Sequence, residues 1–194
     1  MVCFAAATLL SAVGAEIYAY RVRDKAQELV KSALGIRSTA DANHEIEDLR
    51  KRFGNSFWEE SDQLGGDHVY DAQVHNFSIA RFLIVAPTVL NMGVAIRNGQ
   101  LHYVVLTMAS GRRGFAPAAA VWIQEWFDPP QPALMHVSEN NRPWSASVDF
   151  TPAVPDAVRQ RALGLRTVCF TKTRGCQNAE ELLPNVWQWF GMKP

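Results

Sequence analysis

The chain opens on a run of apolar positions. From Val2 to Tyr20 only Thr8, Ser11 and Glu16 interrupt apolar or small residues, and Arg21, Arg23 and Lys25 then end the run. A helix needs about 20 such residues to cross ~30 Å of hydrocarbon. Tyr18 and Tyr20 fall where amphipathic rings favour the membrane interface. The pattern predicts a signal-anchor over residues 1–23, with residues 24–194 forming one α+β domain outside the cytoplasm. Val13-Gly14-Ala15 also offers small residues at cleavage positions, so a signal peptide cleaved near Ala15, leaving a secreted or periplasmic protein, is the alternative. The orientation stays open. No lysine or arginine precedes the run, whereas the basic residues after it favour a cytoplasmic C-terminus under the positive-inside rule. A start that lacks an upstream basic stretch would remove the conflict. A helix packed on the domain ranks last, and Cys3 follows no lipobox.

Beyond the run, the period changes twice. Ala26, Leu29, Val30 and Ala33 recur at helical spacing up to Gly35, continuing the first helix. Ala42, Ile46, Leu49 and Phe53 then form the apolar stripe of an amphipathic helix, with an N-cap at Ser38-Thr39 and Gly54 as C-cap. Alternation and apolar runs follow, predicting strands over His68–His75 and Ile79–Ala86. Asn98-Gly99 between Met92–Arg97 and Gln100–Met108 is a type I′ hairpin signal. In an unbroken register it places Met92, Val94 and Ile96 on one face with Leu101, Tyr103 and Val105, and Ala95, Arg97, Gln100 and His102 on the other. Further strands are expected at Val121–Phe127, Ala133–Val137, Ser145–Phe150 and Arg166–Lys172. A short helix is expected at Pro155–Leu163, and a capped one at Asn178, restarting at Pro184 and anchored by Trp187 and Phe190. The fold class is therefore α+β: an N-terminal hydrophobic helix, then an antiparallel meander packed on amphipathic helices.

Charge and composition narrow the partners. Nineteen basic side chains balance 19 acidic ones, so no overall field draws nucleic acid to the protein. No metal is expected, because the five histidines are scattered and none forms the i, i+4 helical pair of a zinc enzyme. His68 and His75 point to opposite faces of a regular strand. Gly65-Gly66 and Gly111-Arg112-Arg113-Gly114 lack phosphate-loop spacing, and no Gly-x-Ser-x-Gly motif occurs. No catalytic or cofactor-binding residue is assigned. Six tryptophans are many for this length. Trp122 and Trp126 share a strand face and are the best candidates for a sugar- or peptide-binding platform, set against ordinary core packing. Cys169 and Cys176 are close enough in sequence, with Gly175 between them, to close a small disulfide loop.

The segment from Cys169-Phe170-Thr171 through Arg174-Gly175-Cys176 to Ala179-Glu180-Glu181-Leu182-Leu183-Pro184 and Trp187 resembles a family of uncharacterised, membrane-anchored bacterial proteins. Ala26-Gln27-Glu28-Leu29-Val30, Gly35, Ser38-Thr39 and Phe53-Gly54 are similar to that family's anchor-proximal helices. The resemblance implies an envelope location and the cysteine pair, and implies no catalytic activity.

The resulting expectation is a membrane-tethered, non-catalytic module that binds a protein or another envelope component. Two rival classes remain. One is a carrier enclosing a small ligand in an apolar pocket, and the other an enzyme whose site joins distant residues such as His102, Asp149 and Cys169.

Overall fold

A computed structural model describes residues 2–61, 67–76, 87–111, 117–128, 135–138 and 144–187, with side chains from Val13 onward in the first helix. That helix, α1 (Val2–Gly35), is continuous. Its two halves differ. Val22, Ala26, Leu29, Val30 and Ala33 are buried as a stripe on the domain, whereas Val13 and Ile17 are about half exposed. Burial of Ala19 and Val22 starts the docked part before Asp24. Among the described residues no helix is long and apolar enough to cross a membrane; the side chains of residues 2–12, most of the anticipated span, lie outside them.

Helix α2 (Thr39–Phe53) buries Ala42, Ile46, Leu49 and Phe53, the stripe its period predicts. Ser38 caps it by accepting from the Asp41 N–H, and Gly54 closes it, the cap contributing about 1 kcal/mol. The strands are β1 (Phe57–Ser61), β2 (Asp67–His75), β3 (Thr88–Arg97), β4 (Gln100–Ser110), β5 (Ala119–Trp126), β6 (Met135–Ser138) and β7 (Ser145–Phe150). They form one sheet in the order β1-β2-β3-β4-β5-β7-β6. The fold is α+β as expected, but the sheet is mixed. β1 to β5 run as the antiparallel meander, while β7 inserts parallel to β5 and takes β6 as its outer neighbour. The expected strand at 79–86 lies outside the described residues; of the one expected at 133–137, residues 135–137 belong to β6 and 133–134 lie outside the described residues. β1 was absent from the sequence reading.

The hairpin turn has positive φ at both Asn98 and Gly99, the type I′ geometry. Ile96 faces Leu101 and Arg97 faces Gln100, but Ala95 already faces Tyr103. His102 is thus one extra residue in β4, a bulge. The bulge corrects the expected faces, because one inserted residue reverses every side chain beyond it. Val104, Leu106 and Met108 join Val94, Met92 and Leu90 in the core, Tyr103 and Val105 turn to the opposite face, and His102 is buried.

The helices cover the face that carries Leu90, Met92, Leu106, Met108 and Ile123, all fully buried. A charged clamp ties this layer together. Arg159, on α3 (Asp156–Ala162), is fully buried with Glu125 of β5. Its Nε donates to both Glu125 oxygens at 2.7 and 2.8 Å. Its Nη1 donates to the Leu34 carbonyl at 2.7 Å and its Nη2 to those of Ala33 and Ile36 at 3.0 and 2.8 Å. One cation thereby satisfies the C-terminal carbonyls of α1 and complements its dipole. Burial pushes the Glu125 carboxyl above the usual carboxylate range, and the hydrogen bonds and charge of Arg159, with the charge of Arg37, offset part of that rise.

Arg166–Lys172 is not a strand. Residues Thr167–Phe170 form a 3-10 turn, because its carbonyls bond inward to side chains instead of to a neighbouring strand. Thr88 Oγ1 donates to the Cys169 carbonyl and Asn76 Nδ2 to that of Phe170, both at 3.3 Å. The chain ends its described part in α4 (Ala179–Leu182), capped by the Asn178 side chain, and α5 (Pro184–Trp187). The Trp187 and Phe190 side chains lie outside the described residues.

Candidate functional site

The sheet face away from the helices is built by the opposite parity. Pairing aligns Gln73, Asn91, Thr107, Trp122 and Ser147 across five strands, with Ala109, Ala120 and Ser145 in the next row. These are small or uncharged polar residues with one large ring among them. Trp122 is 47% exposed. Its Nε1–H donates to Gln124 Oε1 at 3.0 Å, and Gln124 is buried. The hydrogen bond holds the indole by its edge and satisfies its one polar atom. Beside the ring a groove of about 250 Å³ is lined by Asn91, Thr107, Ala120, Trp122, Ser145 and Ser147. An indole pinned in this way loses little side-chain entropy on binding, which favours a flat ligand laid over small neighbours.

Trp126, the second tryptophan of the expected platform, shares this face but does something else. Four strand residues separate the two rings by roughly 13 Å along β5. Trp126 packs edge-on against His102 and Tyr103, with ring centroids 5.6 and 5.5 Å away. Its Nε1–H reaches Asp149 Oδ1 at 3.4 Å. The two expected platform residues are therefore divided: Trp122 lines the groove, and Trp126 is part of an aromatic cluster at the bulge.

That cluster also bears on the dispersed catalytic set. His102 and Asp149 both touch Trp126, and Asp128 Oδ2 stands 3.9 Å from His102 Nδ1. Cys169 is elsewhere. It is fully buried and disulfide-bonded to Cys176, with α-carbons 5.2 Å apart. A disulfide sulfur is no thiolate, so the set loses its nucleophile. The bond itself is the one expected from the spacing.

The disulfide loop sits on the ends of β3 and β4. The Cys176 N–H donates to Ser110 Oγ at 2.8 Å, and Ser110 Oγ lies 2.8 Å from Thr88 Oγ1. Since the Thr88 proton goes to the Cys169 carbonyl, Ser110 is the donor in that pair. Gly111 and Gly175, both at positive φ, meet here; a β-carbon on Gly111 would lie 2.5 Å from the Cys176 carbonyl oxygen. Only glycine permits that approach.

Two polar groups of β2 shift, Asp71 on the open face and Tyr70 on the covered one. The Asp71 carboxyl is raised above its ordinary value by burial and then by the Glu60 charge. The Tyr70 hydroxyl is raised by burial, then by the charge and hydrogen bonding of Glu59. No cluster of three or more metal-ligating side chains occurs among the described residues. His68 is engaged with Glu59 at 3.0 Å. Sequence reasoning found Trp122 but neither its Gln124 support nor its polar neighbours, which come from strands far apart in the chain. No family model matches the chain, and neither does any curated protein or any solved structure.

Proposed function

We propose that this protein is a non-catalytic module, tethered to the cell membrane by its N-terminal helix and held outside the cytoplasm, whose open sheet face binds a saccharide of the envelope. The observation that carries the binding reading is Trp122, exposed yet fixed by Gln124 above a groove of hydroxyl and amide side chains. Sugar rings offer an apolar C–H face that stacks on an indole and hydroxyls that bond to Asn, Ser and Thr. Among the described residues the lining holds no charged side chain, which suits an uncharged saccharide. Two features support the tether: the Val2–Tyr20 run, and the exposed Val13 and Ile17 ahead of the docked half of α1. The Cys169–Cys176 bond supports an oxidising compartment.

The test is co-sedimentation of the detergent-solubilised full chain with insoluble envelope polysaccharide. Wild type should pellet and Trp122→Ala should remain in solution. Equal retention of the two proteins sinks the reading, and retention by envelope proteins in place of polysaccharide turns it to a protein partner. The compartment is tested separately by thiol labelling in native membranes under denaturing conditions, where Cys169 and Cys176 should label only after reduction. Sedimentation with membranes and resistance to carbonate extraction are the expected behaviour of the tether.

A further inference from the structure

A second exposed tryptophan stands on the same open face, at its β1 edge. Phe57 packs against the core and pairs with the buried Ala72, so its neighbour Trp58 turns to the opposite side, beside Asp71. Trp58 is 37% exposed, and its indole N–H has no hydrogen-bond partner among the described residues. Pairing places Trp58, Asp71 and Gly93 in one row and Gln73, Asn91, Thr107 and Trp122 in the next. Between the two rings the described side chains are short or polar. A β-carbon on Gly93 would lie 3.0 Å from Asp71 Oδ1, so the glycine lets the Asp71 carboxylate lie down over the sheet. That carboxylate is half-buried and makes no hydrogen bond or ion pair with a described residue. Gln73 Nε2 donates to Asn91 Oδ1 at 2.8 Å, which leaves Gln73 Oε1 and the Asn91 Nδ2 protons for another partner. β1 and β5 are four strand spacings apart in the sheet, so the two indoles are separated by roughly 20 Å.

We infer that the open face binds an extended, uncharged, β-linked glycan chain laid across the strands, with one sugar ring on Trp122 and another, several rings along, on Trp58. The inference rests on the saccharide reading of Trp122 and adds a second anchor and a minimum length to it. The separation of the indoles exceeds the reach of a disaccharide, so a single chain touches both only when it is several rings long. A β-linked chain is an extended ribbon whose apolar C–H faces suit stacking on indoles. Along the strip between them, Asp71 accepts from sugar hydroxyls. The free Gln73 Oε1 and Asn91 Nδ2 match the donor and acceptor of an acetamido substituent. Asp71 and Glu60, which lies on the same face two residues beyond Trp58, repel carboxylated or phosphorylated chains. The β1 edge thereby selects for the uncharged chain.

The experiment is a titration of the detergent-solubilised full chain with chitobiose and chitohexaose, uncharged β-linked oligomers of N-acetylglucosamine. Wild type should bind the hexamer roughly tenfold more tightly than the dimer, the gain expected from one further stacked ring. Trp58→Ala should lose most of that gain, and Trp122→Ala should lose the dimer. In wild type the Trp58 indole N–H resonance should move as the hexamer saturates the protein, together with that of Trp122. A hexamer that binds no tighter than the dimer, a Trp58→Ala protein that keeps the gain, or a Trp58 resonance fixed under saturating hexamer overturns the extended site. Dimer binding that depends on Trp122 would still uphold the saccharide reading in each of those cases, whereas binding unaffected by Trp122→Ala sinks both. Absence of binding by either oligomer overturns the inference, and sedimentation with envelope polysaccharide then decides the reading of Trp122 by itself.

Discussion

The two faces of the sheet handle polar groups in opposite ways. On the helix-covered side, Arg159, Glu125, Thr88, Ser110 and Asn76 are buried. Their hydrogen bonds run to one another, to the C-terminal end of α1 and to the disulfide loop. Each of these groups is held by protein partners, which is the requirement for burying polarity in a core. On the open side, Asn91 and Thr107 sit beside an exposed Trp122 whose only polar atom is already satisfied. The covered side uses polarity to fix one arrangement of chain segments distant in sequence. The open side presents polarity and an aromatic face to whatever lies outside.

The difference can be broken most forcefully at the clamp. Arg159→Met leaves Glu125 buried without its cation and removes the donors from three carbonyls. The expected cost is roughly 3–5 kcal/mol, read by chemical denaturation. Arg159→Met/Glu125→Leu should recover part of it, since no uncompensated charge remains. A loss under about 1 kcal/mol for the single change would show that the covered side is not organised by this pair.

Replacing both Cys169 and Cys176 by alanine should cost less, about 2.5 kcal/mol in the loop-entropy model. The faster hydrogen exchange should be confined to the segment from Arg166 to Leu183. Acceleration spread evenly over β3 and β4 would mean that the loop supports the whole core. Asp71→Asn is a milder change on the open side. Because its folded carboxyl is raised, the native state holds the proton more tightly than the unfolded chain. That contribution is full below the unfolded value near pH 4 and is lost as pH rises through the folded one. Asp71→Asn should therefore stabilise by roughly 0.5 kcal/mol at pH 7, given partial solvent screening. The gain should vanish below about pH 4. A gain that persists at pH 3 would contradict the electrostatic cause.

Local chemistry was legible in the sequence. Ser38, Gly54, Asn98-Gly99 and the stripes of α1 and α2 each act within a few residues, so spacing alone places them. Features decided by tertiary contact were not. Nothing around His102 announces an extra residue, yet it reverses the faces of Tyr103 and Val105. The Val168-Cys169-Phe170 run suits a strand or a buried turn equally, and the carbonyl partners from Thr88 and Asn76 decide it. Nothing local marks Arg159 as buried, because its partner Glu125 stands 34 residues away. The candidate site was half legible. An alternating strand exposes Trp122, but the groove beside it needs β3, β4 and β7 in register.

Trp122→Ala should have a modest effect on folding, about 1 kcal/mol, since about half of the ring is exposed and Gln124 loses one donor. Its expected effect on ligand binding is large. The most direct measurement is chemical-shift mapping of the full chain as soluble fragments of the envelope polysaccharide are titrated in. Saturable shifts should cluster at the Trp122 indole N–H and at Asn91, Thr107, Ser145 and Ser147, and be absent from Trp122→Ala. Shifts centred instead on the Trp126–His102 cluster or on the helix layer, or shifts of equal size in Trp122→Ala, would contradict the assignment of the open face as the binding surface.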